Sequence, residues 1–271
     1  MRRALEDGHF YRYVPAAWDA LIRQTARTDG WWLSPSGVAG CQRLHLLKAS
    51  EDYYLNPNKV WAMLVGTAVH RHLETGEYLE EVPLRMPLLI PLELPNGERK
   101  VVEFPVAGTL DRYEPPWKRI TDYKFPSEFS YQQYDPNQGR RVVVPKTFPE
   151  PHHVAQVNIY RMLLEYNGYP VEQAQIFYAR PYKEAPRKVV AVPLWDLEDT
   201  YQYAVEVATP LALARETGQL PPCTCRFPNK TMDRDLCQEI SDEAWRACGG
   251  PSRVRTLPPL GAEPGEGADE D

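Results

Sequence analysis

Two aspartates and a lysine lie close together in one short, largely apolar stretch. Residues 106–126 read Val-Ala-Gly-Thr-Leu-Asp-Arg-Tyr-Glu, Pro-Pro-Trp and Lys-Arg-Ile-Thr-Asp-Tyr-Lys-Phe-Pro. Two apolar runs around a proline turn predict a β-hairpin, with Asp111 near the end of the first strand and Asp122 near the end of the second. Because side chains alternate along a strand, Asp122 and Lys124 share a face, roughly 6.5–7 Å apart. Carboxylates can hold a hard divalent cation, and the lysine would lie beside the water that the cation activates.

When this stretch is taken alone, an ordinary surface hairpin with a common Asp/Lys pair is the favoured interpretation. The surrounding elements must therefore decide between the two interpretations. Hydrophobic periodicity, caps and turn residues predict a mixed sheet flanked by helices, which is an α/β fold. The predicted helices cover 15–27, 34–48, 58–73, 152–167 and 194–216. Besides the two strands of the hairpin, the predicted strands cover 84–94, 100–106, 175–179 and 188–192. Residues 127–151 are predicted to form a long, mobile loop.

Composition limits the classes of protein but excludes few enzymes. The formal net charge is −6, and the last eleven residues contain five acids and no Lys or Arg, so the remainder is close to neutral. No apolar run approaches the roughly 20 residues that a transmembrane helix needs. No apolar segment follows Arg2 and Arg3, which argues against a signal peptide and predicts a cytoplasmic protein. Five cysteines in a reducing compartment favour metal or cluster ligands over disulfides.

Four motifs occur in a set order along the chain. They are Gly-Thr-Ala-Val-His at 66–70, Gly-Thr-Leu-Asp at 108–111, Asp-Tyr-Lys at 122–124 and Gln-Val-Asn-Ile-Tyr at 156–160. In this order and spacing the chain resembles the PD-(D/E)XK nuclease superfamily, and within it the RecB-like branch that includes CRISPR-associated and phage exonucleases. The resemblance covers roughly residues 34–180. It implies a restriction-endonuclease-like core with a mixed central sheet flanked by helices and with N- and C-terminal helical, cysteine-bearing appendages.

The resemblance also implies roles for individual residues. His70, Asp111, Asp122 and the backbone carbonyl of Tyr123 match the family's metal ligands. Lys124 matches the lysine that orients or deprotonates the attacking water, and Gln156 and Tyr160 match the residues that contact the nucleic-acid strand. Oxygen ligands suit Mg²⁺ or Mn²⁺, and an imidazole ligand favours Mn²⁺.

Several other residues have two open interpretations. Glu74, one turn after His70, is either a further ligand through water or a surface acid. His72, His152 and His153 are not expected to be ligands, and Glu103 and Glu114 are expected to be solvated. A set of basic side chains could guide a phosphate backbone, although solubility alone explains such residues: Arg140, Arg141, Lys146, Arg180, Lys183, Arg187 and Lys188.

The cysteines carry a further implication of the resemblance. Cys41 lies after a Ser-Pro-Ser stretch at 34–36, which in cluster-bearing relatives carries the first iron-sulphur ligand. Four thiolates can hold a [4Fe-4S] cluster, and here Cys41, Cys223, Cys225 and Cys237 are the predicted set, with Cys248 as a substitute. The distal spacing departs from the family, so a tetrahedral zinc site and cysteines without a metal stay open as alternatives.

These observations together predict a divalent-metal-dependent DNA nuclease. The preferred form is an exonuclease that acts on single-stranded or duplex DNA ends in recombination, repair or processing. A catalytically silent DNA-binding or scaffold module of the same fold is the alternative, and a zinc or cluster redox protein is a weaker one. The predicted organisation is one nuclease domain over 1–254, with its core at about 58–192 and cysteine-bearing flanks at 34–48 and 220–250, followed by a disordered acidic tail at 255–271.

Overall fold

The computed structural model describes residues 32–43, 45–46, 76–126, 130–135, 140–179, 187–219 and 221 of the chain. The predicted helices at 15–27 and 58–73, including His70 and Glu74, lie outside these residues. So do the distal cysteines, Arg180, Lys183 and the acidic tail. The predicted division into one domain and a tail therefore stays a prediction.

Seven strands and two long helices follow one another through the described residues. The strands are β1 (Leu79–Glu93), β2 (Arg99–Glu114), β3 (Arg119–Lys124), β4 (Ser130–Asp135), β5 (Arg140–Pro145), β6 (Gln173–Tyr178) and β7 (Lys188–Ala191), and the helices are α1 (Pro151–Tyr166), between β5 and β6, and α2 (Leu197–Thr217), after β7. Five strands form one sheet in the order β1-β2-β3-β6-β7, and β4 and β5 form a separate two-stranded sheet. Only the β3–β6 pair of the large sheet is parallel. The predicted mixed α/β class is confirmed.

Two turns reverse the chain at the ends of β2. The first is the Pro-Asn-Gly turn before β2, where Gly97 has φ +83°, a backbone conformation that glycine adopts without steric cost. The second is a 3₁₀ turn at Pro115–Trp117, followed by Lys118 at φ 46°. These turns produce one continuous antiparallel meander through β3, so the acids predicted on a separate hairpin lie on the long strand β2 and on β3.

The helices cover the sheet with apolar side chains. Ile159 and Leu163 of α1 and Leu211 of α2 are fully buried in the same core as Leu88 and Phe104 of the sheet. Helix α1 begins with Pro151, in the first turn, where a backbone amide would have no partner within the helix, so that the missing N–H of proline costs no hydrogen bond. Gly168, at φ 85°, follows the end of this helix. This helix belongs to the crossover that joins the parallel strands β3 and β6, which is why it lies next to the ends of both.

Prolines in the sequence of β1 prevent its outer edge from pairing with another strand. Pro83, Pro87 and Pro91 lie at alternate outward-facing positions, where they remove the donors that another strand would need. Between them, the Leu89 amide donates to the hydroxyl of Tyr201 on α2 at 3.0 Å. The β1 side of the sheet is therefore a scaffold protected against edge-to-edge pairing.

Four predictions about local structure need correction. The helix predicted over 34–48 is interrupted, because Gly37–Ala39 form a 3₁₀ turn that ends at an extended Gly40. The loop predicted over 127–151 contains β4 and β5, because alternating residues on both sides of the Pro-Asn-Gln-Gly segment at 136–139 pair as a hairpin. The predicted strand 100–106 is only part of β2. Glu114 is not solvated but buried, since the guanidinium groups of Arg112 and Arg119 both bind its carboxylate.

No helix in the described part of the chain has the length and apolar character needed to span a membrane.

Candidate active site

The edge of β2 that faces β3 changes partner twice along its length. At one end, residues Arg112 to Glu114 pair with β3. Further back, Leu33 binds this edge in a short parallel bridge, donating to the Pro105 carbonyl at 2.9 Å and accepting from Ala107 at 3.0 Å. The backbone from Gly108 to Asp111 lies between these two partners. This segment is the whole Gly-Thr-Leu-Asp motif, so the motif coincides with an interruption in strand pairing.

Asp111 occupies the point at which β2 and β3 part. The last register pair is Arg112 with Thr121, so Asp111 and Asp122 come next, one on each strand. In place of a further ladder bond, Oδ2 of Asp111 accepts from the backbone amide of Tyr123 at 2.8 Å. On the β1 side of β2, the register pairs do not include Asp111. At the corresponding position on β1, Glu81 has φ 50°, a conformation that costs on the order of 1–3 kcal/mol for a residue with a side chain.

The Tyr123 backbone also directs its carbonyl toward this gap. In a strand, the amide and the carbonyl of one residue point to the same neighbouring strand. Because the Tyr123 amide donates to Asp111 on β2, its carbonyl faces the same side. A hard cation at this point would meet oxygen donors of the type that it prefers.

Asp122 is a buried carboxylate with a paired charge. The residue is 1% exposed, and its Oδ2 lies 2.6 Å from Nζ of Lys124. A buried carboxylate without compensation costs several kcal/mol, so the lysine stabilises the charged form. The side chain of Lys124 is 20% exposed, so this residue is more open to solvent than Asp122.

The parallel ladder with β6 fixes where Lys124 lies. Lys124 is the last residue of β3, its register partner is Tyr178, and its carbonyl accepts from Ala179 at 3.0 Å. Tyr178 is fully buried, and its hydroxyl lies 2.9 Å from Nδ1 of His153 on α1. Burial raises the pKa of Tyr178 well above its usual range, and the negative charge of the nearby Asp122 adds to this rise.

Helix α1 brings two of the predicted residues to the gap from above the sheet. Nε2 of Gln156 lies 3.5 Å from Oδ1 of Asp122, at the limit of a hydrogen bond. Tyr160, one turn later, is 7% exposed and donates its hydroxyl to the Thr109 carbonyl at 2.6 Å. Gln156 thus contacts the acidic group, while Tyr160 holds the backbone of β2 two residues before Asp111.

The Ser34–Gly37 turn closes the other side of the gap. Ser34 accepts from the Gly37 amide through both its carbonyl, at 2.8 Å, and its hydroxyl, at 3.0 Å. A side-chain carbon on Gly108 would lie 2.6 Å from Cδ of Pro35 and 3.4 Å from Tyr160. Only glycine therefore lets β2 approach the turn and α1 this closely.

The oxygen chemistry of this group fits Mg²⁺ or Mn²⁺, although the described residues supply an incomplete ligand set. Two carboxylates and one carbonyl lie at the gap, and nowhere in the described ranges do three His, Cys, Asp or Glu side chains gather closely enough to hold a metal. His70, the fourth predicted ligand, lies outside those ranges.

The cysteine prediction is only partly within the described residues. Cys41 is buried at 4% exposure. Two residues later, the guanidinium of Arg43 donates to the carbonyl of Pro221 at 3.3 Å, two residues before Cys223. The flank that carries Cys41 thus meets the start of the distal segment, whose cysteines lie outside the described residues.

Sequence reasoning missed two residues beside the predicted group. Tyr178 belongs to a strand with an ordinary apolar pattern, and the sequence excludes His153 only as a metal ligand. Only the parallel register of β3 with β6 brings Tyr178 next to Lys124, and no local signal in the sequence indicates it.

Comparison with known proteins yields similarity of structure only. No protein-family model matches the chain, and no curated protein matches it significantly in sequence. A solved structure designated SSO0001 superposes with a TM-score of 0.50 at 15% identity, covering 83% of this chain and 91% of the other. A protein of Eubacterium rectale described as "Putative exonuclease" has a TM-score of 0.48 at 14% identity, covering 75% and 88%. The second similarity is too distant to support an argument, and the first shows that this chain and SSO0001 share a fold.

Proposed function

We propose that this chain is a divalent-metal-dependent DNA nuclease of the PD-(D/E)XK type. The observation that supports it best is the grouping of Asp111, Asp122 and Lys124 where β2 parts from β3. These three residues come from two strands and are joined through the Tyr123 amide and the Asp122–Lys124 ion pair. A structural salt bridge would explain Asp122 and Lys124, but it would not explain a second acid held beside an interrupted strand pairing.

The cation would be held by Asp111, Asp122, the Tyr123 carbonyl and, from outside the described residues, His70. When bound, a divalent cation supplies a nucleophilic water at neutral pH and relieves charge at phosphorus. The ammonium of Lys124, paired with Asp122, would orient that water and neutralise a phosphate oxygen. Gln156 would contact the strand or the scissile phosphate, and Tyr160 would keep β2 and Asp111 in place.

The preferred substrate is a DNA end or a single strand, cleaved as by an exonuclease. The test is a time course on end-labelled single- and double-stranded DNA, with Mg²⁺ and Mn²⁺ in parallel. We expect metal-dependent products from the parent chain. Asp111→Ala and Asp122→Ala should abolish them, and Lys124→Ala should lower the rate by about 10²- to 10⁴-fold.

Glu103→Ala is the matched control for these variants. Glu103 is an exposed acid on the same strand, in the part paired with β1, so its removal should leave cleavage unchanged. Circular dichroism and urea denaturation would establish that each variant is folded. Full activity in the three site variants, or cleavage by the parent in chelator, would refute the proposal.

We also propose a second metal group at the cysteine-bearing flanks. The contact from Arg43 to Pro221 supports it, because Cys41 and Cys223 each lie two residues from that contact. The preferred set is Cys41, Cys223, Cys225 and Cys237 around a [4Fe-4S] cluster, with zinc as the second choice. Analysis of an anaerobic preparation should find stoichiometric iron or zinc, and the absence of both would exclude the metal group.

A further inference from the structure

One register row across the sheet places a second lysine on the face of the candidate active site. Lys124 of β3 is paired with Tyr178 of β6, and Tyr178 is paired with Lys188 of β7. Side chains of register partners project from the same face of a sheet. Adjacent strands lie about 4.8 Å apart, so the backbones of the two lysines are separated by about 10 Å. Lys188 therefore shares a face with Lys124, two strands away.

Aromatic rings form the middle of this row. Tyr178 is fully buried, and its hydroxyl accepts from the Glu150 amide at 3.4 Å and lies 2.9 Å from Nδ1 of His153. The ring of Phe148 packs on the ring of Tyr178, with 4.3 Å between their centroids. The surface between the two lysines is therefore a fixed layer of packed rings.

The ammonium of Lys188 lies over the Phe148 ring. Its Nζ atom is 5.3 Å from the ring centroid, within the range of a cation–π interaction, and the residue is exposed. The ammonium of Lys124 is directed elsewhere, because its Nζ atom lies 2.6 Å from Oδ2 of Asp122. The two ammonium groups are therefore directed at different points of the same face.

The charges around this row favour an anion. Its two acids are each close to a lysine, Asp122 to Lys124 at 2.6 Å and Glu150 to Lys146 at 3.9 Å. Lys188 adds a further positive charge on this face. Since β7 is the last strand of the large sheet, a lysine there could also protect the edge from pairing. That protection needs a charge, but it does not need one over an aromatic ring on the face of the candidate active site.

We infer that Lys188 binds a second phosphate of the DNA strand, next to the phosphate that reaches the candidate active site. This inference rests on the proposed function, because the phosphate at the active site defines where the strand lies. Phe148 positions the ammonium of Lys188 through the cation–π contact. The strand thus runs across the sheet from β3 toward β7.

Binding of a labelled oligodeoxythymidylate to the full chain tests this inference, and it is measured in chelator so that the strand is not cut. Lys188→Ala should raise the Kd about 10-fold, as expected for the loss of one charge-assisted contact. Lys188→Arg keeps the charge in place and should bind within about 2-fold of the parent chain. Phe148→Leu keeps an apolar side chain but removes the cation–π contact, and it should raise the Kd about 2- to 5-fold.

Val189 supplies the matched control. It is 61% exposed, and its side chain projects from the opposite face of β7, because neighbours along a strand alternate. The double variant Lys188→Ala with Val189→Lys keeps the net charge of the parent chain but moves the ammonium to the other face. Its Kd should stay about 10-fold above that of the parent chain. Circular dichroism would establish that each variant is folded.

Salt dependence gives a second readout. Lys188→Ala should reduce the slope of log K against log salt concentration by about 0.7, because one phosphate contact is lost. The double variant should show the same reduction. A Lys188→Ala variant that binds like the parent chain, or a double variant that regains the parent's Kd and slope, would overturn the inference.

The proposed function fails by a different measurement. Cleavage of end-labelled DNA by the parent chain involves no change at Lys188. An inactive parent chain whose strand binding depends on Lys188 would refute the nuclease and retain the phosphate site. An active parent chain whose strand binding does not depend on Lys188 would refute only the phosphate site.

Discussion

Strand β2 has two edges that the protein uses in different ways. Against β1 it pairs almost continuously, from Arg99 opposite Glu93 to Tyr113 opposite Leu79. Against β3 it pairs over three residues and then parts at Asp111. The closed edge belongs to a protected apolar scaffold, and the interrupted edge holds the candidate catalytic residues. The difference shows that the candidate site depends on a local interruption of the β2–β3 pairing, in a strand that is held along most of its length by pairing with β1.

The largest expected effect is on the scaffold side. Leu88 of β1 is fully buried, so Leu88→Ala should lower the free energy of unfolding by about 2–5 kcal/mol. Its neighbour Leu89 is 58% exposed and is the matched control, with an expected change within about 0.5 kcal/mol. Urea denaturation measures both. Similar losses in the free energy of unfolding for the two variants would mean that the buried face of β1 does not stabilise the fold more than its exposed face.

A smaller effect is expected where the interrupted edge packs most closely. Gly108→Ala places a carbon 2.6 Å from Pro35 and should cost about 1–3 kcal/mol as the turn at 34–37 shifts. It should also reduce cleavage, because Asp111 is three residues away on the same segment. A variant with unchanged stability and activity would show that the close packing at Gly108 does not matter.

Removal of one hydroxyl tests how α1 supports the same segment. Tyr160→Phe deletes the bond to the Thr109 carbonyl and should cost about 0.5–1.5 kcal/mol in the free energy of unfolding. Tyr166→Phe, at an exposed position on the same helix, is the control and should change stability by less than about 0.5 kcal/mol. If Tyr160 positions Asp111, its variant should also require a higher Mn²⁺ concentration for half-maximal cleavage. An unchanged metal requirement would leave Tyr160 with a structural role only.

The smallest effect concerns the far side of β3 and appears only at alkaline pH. The pKa of Tyr178 is raised above its ordinary value of 10.0, mainly because burial disfavours the phenolate. Above about pH 10 the unfolded chain loses this proton while the native chain keeps it, so stability falls as pH rises, by up to about 1.4 kcal/mol per pH unit. Tyr178→Phe should make that decline shallower in urea denaturation between neutral and alkaline pH. An identical pH slope would show that Tyr178 ionises normally in the native chain.

Prediction from sequence succeeded where the signal is local. Pro-Asn-Gly and Pro-Pro-Trp end the strands where expected, and the helix with Gln156 begins within one residue of its predicted start, because turn and cap chemistry acts over a few residues. Prediction failed at 127–151, where a polar sequence forms a hairpin, and at Glu114, which is buried because two arginines bind its carboxylate. Polarity alone does not indicate whether a carboxylate finds a cationic partner in the folded chain.

The sequence by itself indicated which residues could do chemistry, and it predicted strands at Asp111 and Asp122 and a helix at Gln156, since residue type and periodicity are local properties. The tertiary structure alone decided that β2 parts from β3 between Asp111 and Asp122, and that the Tyr123 amide binds the first of these acids. It also decided that Tyr178 lies beside Lys124 through a parallel pairing. Such contacts join segments far apart in the chain, and their geometry depends on how the helices pack on the sheet.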